Sequence, residues 1–136
     1  MSNPIIDTNI LVRLLTAEPP EQAEQVRRLF ELVDRGKIEP QIPSLIVAEA
    51  VYVLQSFYKF TREDISKSMR AVLSSPGIVV ENQALVLRAF EFYRNGEIAF
   101  ADAYIAALSE SSENEIISFD ADYDKIKAVR RFKIPE

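Results

Sequence analysis

Four short apolar runs, “NPIID”, “EPQIP”, “IVVE” and “EIISF”, are separated by stretches whose apolar residues recur at helical spacing. No other feature narrows the fold as much. Parallel strands cannot be joined by a tight turn and need a crossover, usually a helix. The alternation therefore predicts an α/β chain with a short, mostly parallel central sheet covered on both faces by helices, a three-layer α/β/α arrangement. A last edge strand is expected at “RFKI”. In such sheets functional groups gather beyond the carboxyl ends of the strands. Asp7 ends the first run and Asp120 follows the fourth, so both fall where such groups belong.

The helical stretches carry their own boundary signals. “TNILVRLLTA” follows the first run, and “PEQAEQVRRLFELVDRG” repeats Ala23, Val26, Phe30 and Val33, with Pro20 near its start and Gly36 at its end. Ser44 is expected to cap the nearly all-apolar “LIVAEAVYVLQSFYK”, and Thr61 to cap “REDISKSMRAVLSS”. Pro76-Gly77 turns the chain into the third run, and Asn95-Gly96 closes “QALVLRAFEFYRNG”. “FADAYIAALSESS” is a further helix and “DADYDKIKAV” a short acidic helix or loop. No repeat, linker or low-complexity tract intervenes, so residues 1–136 are expected to form one domain.

Composition removes whole classes of chemistry. There is no cysteine and no histidine. That excludes disulfides, thiolate nucleophiles, the usual zinc ligand sets and a Ser-His-Asp triad. Titratable chemistry then falls mainly to carboxylates or to a metal they hold. A net charge of -5 argues against simple charge-driven binding of nucleic acid, but not against an enzyme whose excess acids are neutralised by cations. No apolar run approaches the roughly 20 residues of a membrane span, and “MSNP” lacks the features of a signal peptide. A cytoplasmic protein without membrane association is expected.

Four acids stand in apolar surroundings. Asp7, in “PIIDTNIL”, is explained locally by capping the helix that follows. Glu49 has Leu45, Ile46, Tyr52 and Val53 as helical neighbours, which leaves no ordinary solvated face; a partly exposed acid at a groove is the alternative. Asp102 neighbours Ile98, Ala99, Ile105 and Ala106, or else caps a helix that starts later. For Asp120, a cap by itself or by Asp122 is as good an account as a site. “DADYD” opens like an EF-hand loop, but Lys125 and Arg131 stand where glycine and glutamate are needed, so the calcium reading fails. One shared cause accounts for all four acids together: convergence on hard divalent cations, Mg²⁺ or Mn²⁺. Such ions serve phosphoryl substrates, lower the pKa of water and stabilise a leaving oxyanion, so no histidine base is required.

With these residues in order, the sequence resembles the PIN-domain nucleases, close to the small VapC-type ribonuclease toxins of toxin–antitoxin pairs. The family opens with a strand ending in “DTN”, matched by “IIDTNIL”. Its second acid is a glutamate on an apolar helix, matched by “VAEAVYVL”. Its third lies in a “DA-x-IAA” helix, matched by “ADAYIAAL”, and its fourth in a “T/S-F-D-x-D-F/Y” turn, matched by “SFDADYDKI”. Each match is weak alone; the ordered set is specific and spans essentially the whole chain.

The resemblance implies that Asp7, Glu49, Asp102 and Asp120 form an acidic, metal-binding catalytic site, with Asn9, Ser118 and Asp122 in support. It implies an endoribonuclease using Mg²⁺ (or Mn²⁺) to hydrolyse phosphodiesters in single-stranded or looped RNA. Asp7 and Asp120 are assigned to direct coordination, and Glu49 and Asp102 to a second ion or to orienting the water. It further implies a protein antitoxin and a homodimer paired through the region of Leu54, Phe57, Tyr58 and Phe60, the alternative being that all four pack under the neighbouring helix. Lys125, Lys127, Arg130, Arg131 and Lys133 put five of the 16 basic residues in the last 12 positions, either a phosphate-steering patch or a solvated surface. Arg13, Lys59 and Arg62 are further candidates for lining a cleft. Two other classes remain: a non-catalytic or housekeeping RNA-processing relative, and an aspartyl-phosphate phosphatase. Asn9, standing where the phosphatase needs its second aspartate, disfavours the latter.

Overall fold

The computed structural model describes residues 3–136, which form a mostly helical α/β chain with a small parallel sheet. The elements run α1 (Thr8–Thr16), α2 (Pro20–Asp34), β1 (Gln41–Ile42), α3 (Ser44–Ser56), α4 (Arg62–Leu73), β2 (Val79–Val80), α5 (Gln83–Asn95) and α6 (Phe100–Ser112). A 3₁₀ turn at Ala121–Lys125 follows. Two compact units divide the chain, the first ending at Asn82 and the second running from Gln83 to Glu136.

In the first unit, α1 packs on α2 and on α3, and α3 packs on α4. Leu11, Val12, Val26, Val47, Val51, Leu54, Ile65 and Met69 are buried in these helices. The helix starts follow from local chemistry. Pro20 occupies the first position of α2, where its missing N–H costs nothing, and the Thr61 hydroxyl accepts the Asp64 N–H at 3.1 Å to cap α4. Strands β1 and β2 pair in parallel, Gln41 with Val79 and Ile42 with Val80.

The sheet is smaller than the four runs suggest. “NPIID” contributes a single parallel bridge, Ile5 to Gln41, because Asp7 already leaves the strand path to cap α1. “EIISF” and “RFKI” meet only at Ile116 and Arg131, also in parallel. Ser44 is not a cap. Pro43 holds that position, while the Ser44 hydroxyl donates to Glu81 O at 2.8 Å and the Ser44 N–H to Glu81 Oε1 at 2.9 Å. Helix α3 stops at Ser56, and Lys59 turns with a φ of 59°. Leu54 belongs to the core rather than to a surface cluster, whereas Phe57 is 72% exposed and meets Tyr52 edge-on at 6.4 Å between ring centroids.

In the second unit, α5 and α6 pack together. The small Ala103, Ala106 and Ala107 are buried on α6, beside an aromatic group of Phe90, Tyr93 and Phe100 whose centroids lie 4.5 to 6.3 Å apart. A smaller cluster joins Ala106 to Ile116, Tyr123 and Val129, so the 3₁₀ turn is anchored to α6. Outside the core, Arg88 of α5 forks onto Glu110 of α6 with bonds of 2.7 and 2.8 Å and also reaches Glu91.

The Arg88 guanidinium holds the Glu110 carboxyl below its ordinary value of 4.5. A lowered folded value stabilises above the unfolded value and loses that contribution as pH falls through the folded one. Both side chains are about a third exposed, so the pair is worth only about 0.5–1 kcal/mol. Glu110→Gln is expected to cost that amount in urea unfolding at neutral pH, with the gap to the unsubstituted protein closing in acid below pH 4.5.

Candidate functional site

Two of the four acids lie in the second unit. Asp102 is the third residue of α6, and the N-cap is Ala99, so Asp102 does not cap the helix. Its place in the first turn suits a negative charge, because the exposed N–H groups there carry partial positive charge. Tyr123, from the 3₁₀ turn, donates its hydroxyl to Asp102 Oδ1 at 3.2 Å. Burial pushes the Tyr123 phenol up to about 12, helped by the Asp102 charge and hydrogen bond and by the Asp120 charge. It therefore stays protonated, and a donor, near neutrality.

Asp120 is exposed and caps the 3₁₀ turn, its Oδ1 accepting the Asp122 N–H at 2.8 Å. The Ser118 hydroxyl accepts the Asp120 N–H at 2.9 Å, so Ser118 supports the turn that presents Asp120. Asp122 is engaged elsewhere: Lys125 Nζ sits 3.2 Å from its Oδ1 and 2.9 Å from Glu97. Through Tyr123 the structure brings Asp102 and Asp120 into one neighbourhood.

The other two acids lie in the first unit, on helices that pack together. Asp7 caps α1 with Oδ1 accepting the Thr8 N–H at 2.8 Å. The buried Thr8 hydroxyl has no partner among the described residues. Asn9 is exposed. Glu49 is exposed on α3, which corrects the expectation that this helix offers it no solvated side. Leu45 and Tyr52 share its face and are exposed with it, so the apolar neighbours in the sequence do not enclose the acid.

None of Asp7, Glu49, Asp102 and Asp120 forms an ion pair among the described residues, and each keeps at least one carboxylate oxygen free of hydrogen bonds. Some other acids are matched, as Glu24 and Glu31 are by Arg27 and Asp124 is by Arg131. Free, unpaired carboxylate oxygens are the donors that hard cations take. No group of three or more acidic side chains tight enough to hold a metal occurs among the described residues. Mg²⁺ does not need one, since it binds through one or two carboxylates and completes its shell with waters and substrate phosphates. Each of the four acids keeps an oxygen of the kind such an ion takes.

Sequence reasoning passed over Tyr123. Its signal was the aromatic residue closing “SFDADY”, a position that only the fold shows to reach Asp102. The basic cluster divides in two. Lys125 and Arg131 are held in ion pairs, while the side chains of Lys127, Arg130 and Lys133 have no ion pair or hydrogen bond among the described residues.

The family model for the PIN domain matches residues 5–129. A relative named VapC ribonuclease, from Aquifex aeolicus (strain VF5), is 25% identical over 123 residues, covering 90% of each chain.

The cap and the free oxygen of Asp120 can be separated by substitution. Asparagine caps as well as aspartate, whereas alanine costs about 1 kcal/mol. Thermal unfolding is therefore expected to leave Asp120→Asn close to the unsubstituted protein and to lower the Tm of Asp120→Ala.

Proposed function

The chain belongs to the PIN domain family, and from that premise we propose that it is a metal-dependent endoribonuclease, acting as one domain on phosphodiester bonds of single-stranded or looped RNA. The ribonuclease activity named for the Aquifex relative supports this. The observation that carries it is the ordered set of acidic motifs around Asp7, Glu49, Asp102 and Asp120 by which the sequence resembles that family, each of these acids keeping a carboxylate oxygen free of hydrogen bonds among the described residues.

In this reading Asp7 and Asp120 hold Mg²⁺ or Mn²⁺ directly, and Glu49 and Asp102 hold a second ion or orient the attacking water. The cation supplies charge neutralisation at the phosphate and a more acidic water. The protein supplies preorganisation. One oxygen of Asp7 and one of Asp120 are fixed by backbone N–H groups, and Tyr123 fixes Asp102. We further assign the protein the role of toxin, restrained by a protein antitoxin, and assembly as a homodimer. The exposed apolar surface of Leu45, Tyr52 and Phe57 supports the dimer.

Asp7→Asn tests the site, since asparagine retains the cap. The fold is expected to survive, while Mg²⁺-dependent cleavage of RNA falls on the order of 10²-fold or more. EDTA should abolish cleavage by the unsubstituted protein, and added Mg²⁺ should restore it and raise the Tm by linkage. Full activity in purified Asp7→Asn rejects the assignment. Light scattering over micromolar dilutions should give a dimer mass that Phe57→Lys converts to monomer; a monomer throughout rejects the assembly.

A further inference from the structure

The second unit holds a groove of about 740 Å³ that the acids do not explain. Ser118 and Phe119 contribute to its lining, together with residues of the C-terminal stretch 126–134. Two kinds of side chain meet there. The side chains of Lys127, Arg130 and Lys133 are cations without an ion pair or hydrogen bond among the described residues, in a chain of net charge -5. Phe119 is 89% exposed and Phe132 is 46% exposed. A phenyl ring almost wholly in water, beside unpaired cations, gains nothing from folding.

The backbone beneath these side chains is held firmly. Ile116 N–H donates to Arg130 O at 2.9 Å and Phe132 N–H to Ile116 O at 2.7 Å. Arg131, clamped to Asp124, also reaches Ser118 O at 3.3 Å. The segments that carry Phe119 and Phe132 are thus tied to each other, and Phe119 directly precedes Asp120.

We propose that this groove docks single-stranded RNA, with an unpaired base stacked on Phe119 and the flanking phosphates held by Lys127, Arg130 and Lys133. A single strand offers both an open base face and a charge at every nucleotide, which matches a groove of exposed aromatic rings and unpaired cations. A duplex offers the phosphates alone, its base faces being already stacked. The identity of the nucleic acid rests on the ribonuclease reading; the surface adds what grips the strand and why it must be unpaired.

The test is fluorescence anisotropy with a labelled twelve-nucleotide RNA, single-stranded or annealed to its complement, in EDTA so that cleavage does not interfere. Phe119→Ala is expected to weaken single-strand binding about tenfold or more, and Phe119→Trp to restore it. Duplex binding should not respond to either. Removing all three of Lys127, Arg130 and Lys133 as alanines should lower the slope of log affinity against log salt by about 2, near 0.7 for each phosphate that is no longer neutralised. Circular dichroism and Tm confirm that each variant is folded.

Equal losses on single strand and duplex, or no loss in Phe119→Ala, overturn the stacking assignment. Absent binding by a protein that still cleaves RNA with Mg²⁺ overturns the groove and spares the nuclease reading. Phe119-dependent binding without any cleavage supports the groove and fails the nuclease reading. A change of mass in Phe119→Ala with RNA binding intact assigns the ring to contact with a second copy, and also overturns the proposal.

Discussion

The hydrogen bond from Tyr123 to Asp102 is where the core of the second unit and its acids meet. The ring is buried with Ala106, Ile116 and Val129, so the position of the hydroxyl is set by packing rather than by solvent. Packing of that kind leaves little freedom, because a buried aromatic ring cannot shift without opening a void. The same burial, with the charges of Asp102 and Asp120 nearby, pushes the phenol up to about 12 and keeps it a donor. Anionic surroundings thus strengthen the contact that organises them. The 3₁₀ turn inherits its position from this anchor, and with the turn come Asp120 and the Ser118 bond that shapes it.

Several acids elsewhere in the chain are matched by cations. Arg27 takes Glu24 and Glu31, Arg88 takes Glu91 and Glu110, and Lys125 takes Glu97 and Asp122. Some acids without counter-ions have a simple account, since Glu21 and Glu63 sit in the first turns of α2 and α4, where the helix ends favour negative charge. Asp102 shares that account. Glu49 does not, because it lies in the middle of α3, away from the helix ends, and has no ion pair among the described residues. Among the four it is the acid that local structure explains least.

Helices were legible in the sequence because their signals are local. Pro20, Thr61 and the pair Asn95-Gly96 mark ends that depend on a few neighbouring residues, and α2, α4 and α5 end close to them. Strands were legible only as places. A run such as “EIISF” states that apolar residues must be covered, but not how many N–H groups find a partner in another segment. Ile116 finds Arg131, and the chain then turns at Ser118. The motif acids could be named from type and order alone. Their exposure could not, because the apolar neighbours of Glu49 describe its helix rather than what packs against that helix. Leu54 and Phe57 show the same limit, three residues apart in one apolar segment, with one in the core and the other in water.

Capping and ligand binding are usually set against each other as explanations of an aspartate that follows a strand. In this chain they are compatible. Asp7 and Asp120 each use one carboxylate oxygen for a backbone N–H and leave the other uncommitted. The cap removes the rotamer freedom that a free aspartate would lose on taking up a cation, and that cost is then met in folding rather than in binding. It also places the charge at a helix or turn start, where the exposed backbone N–H groups favour it. A strand followed at once by a capped turn is therefore an economical way to hold a carboxylate ready. The first segment shows the device most directly, its single bridge at Ile5 being followed two residues later by the capping Asp7.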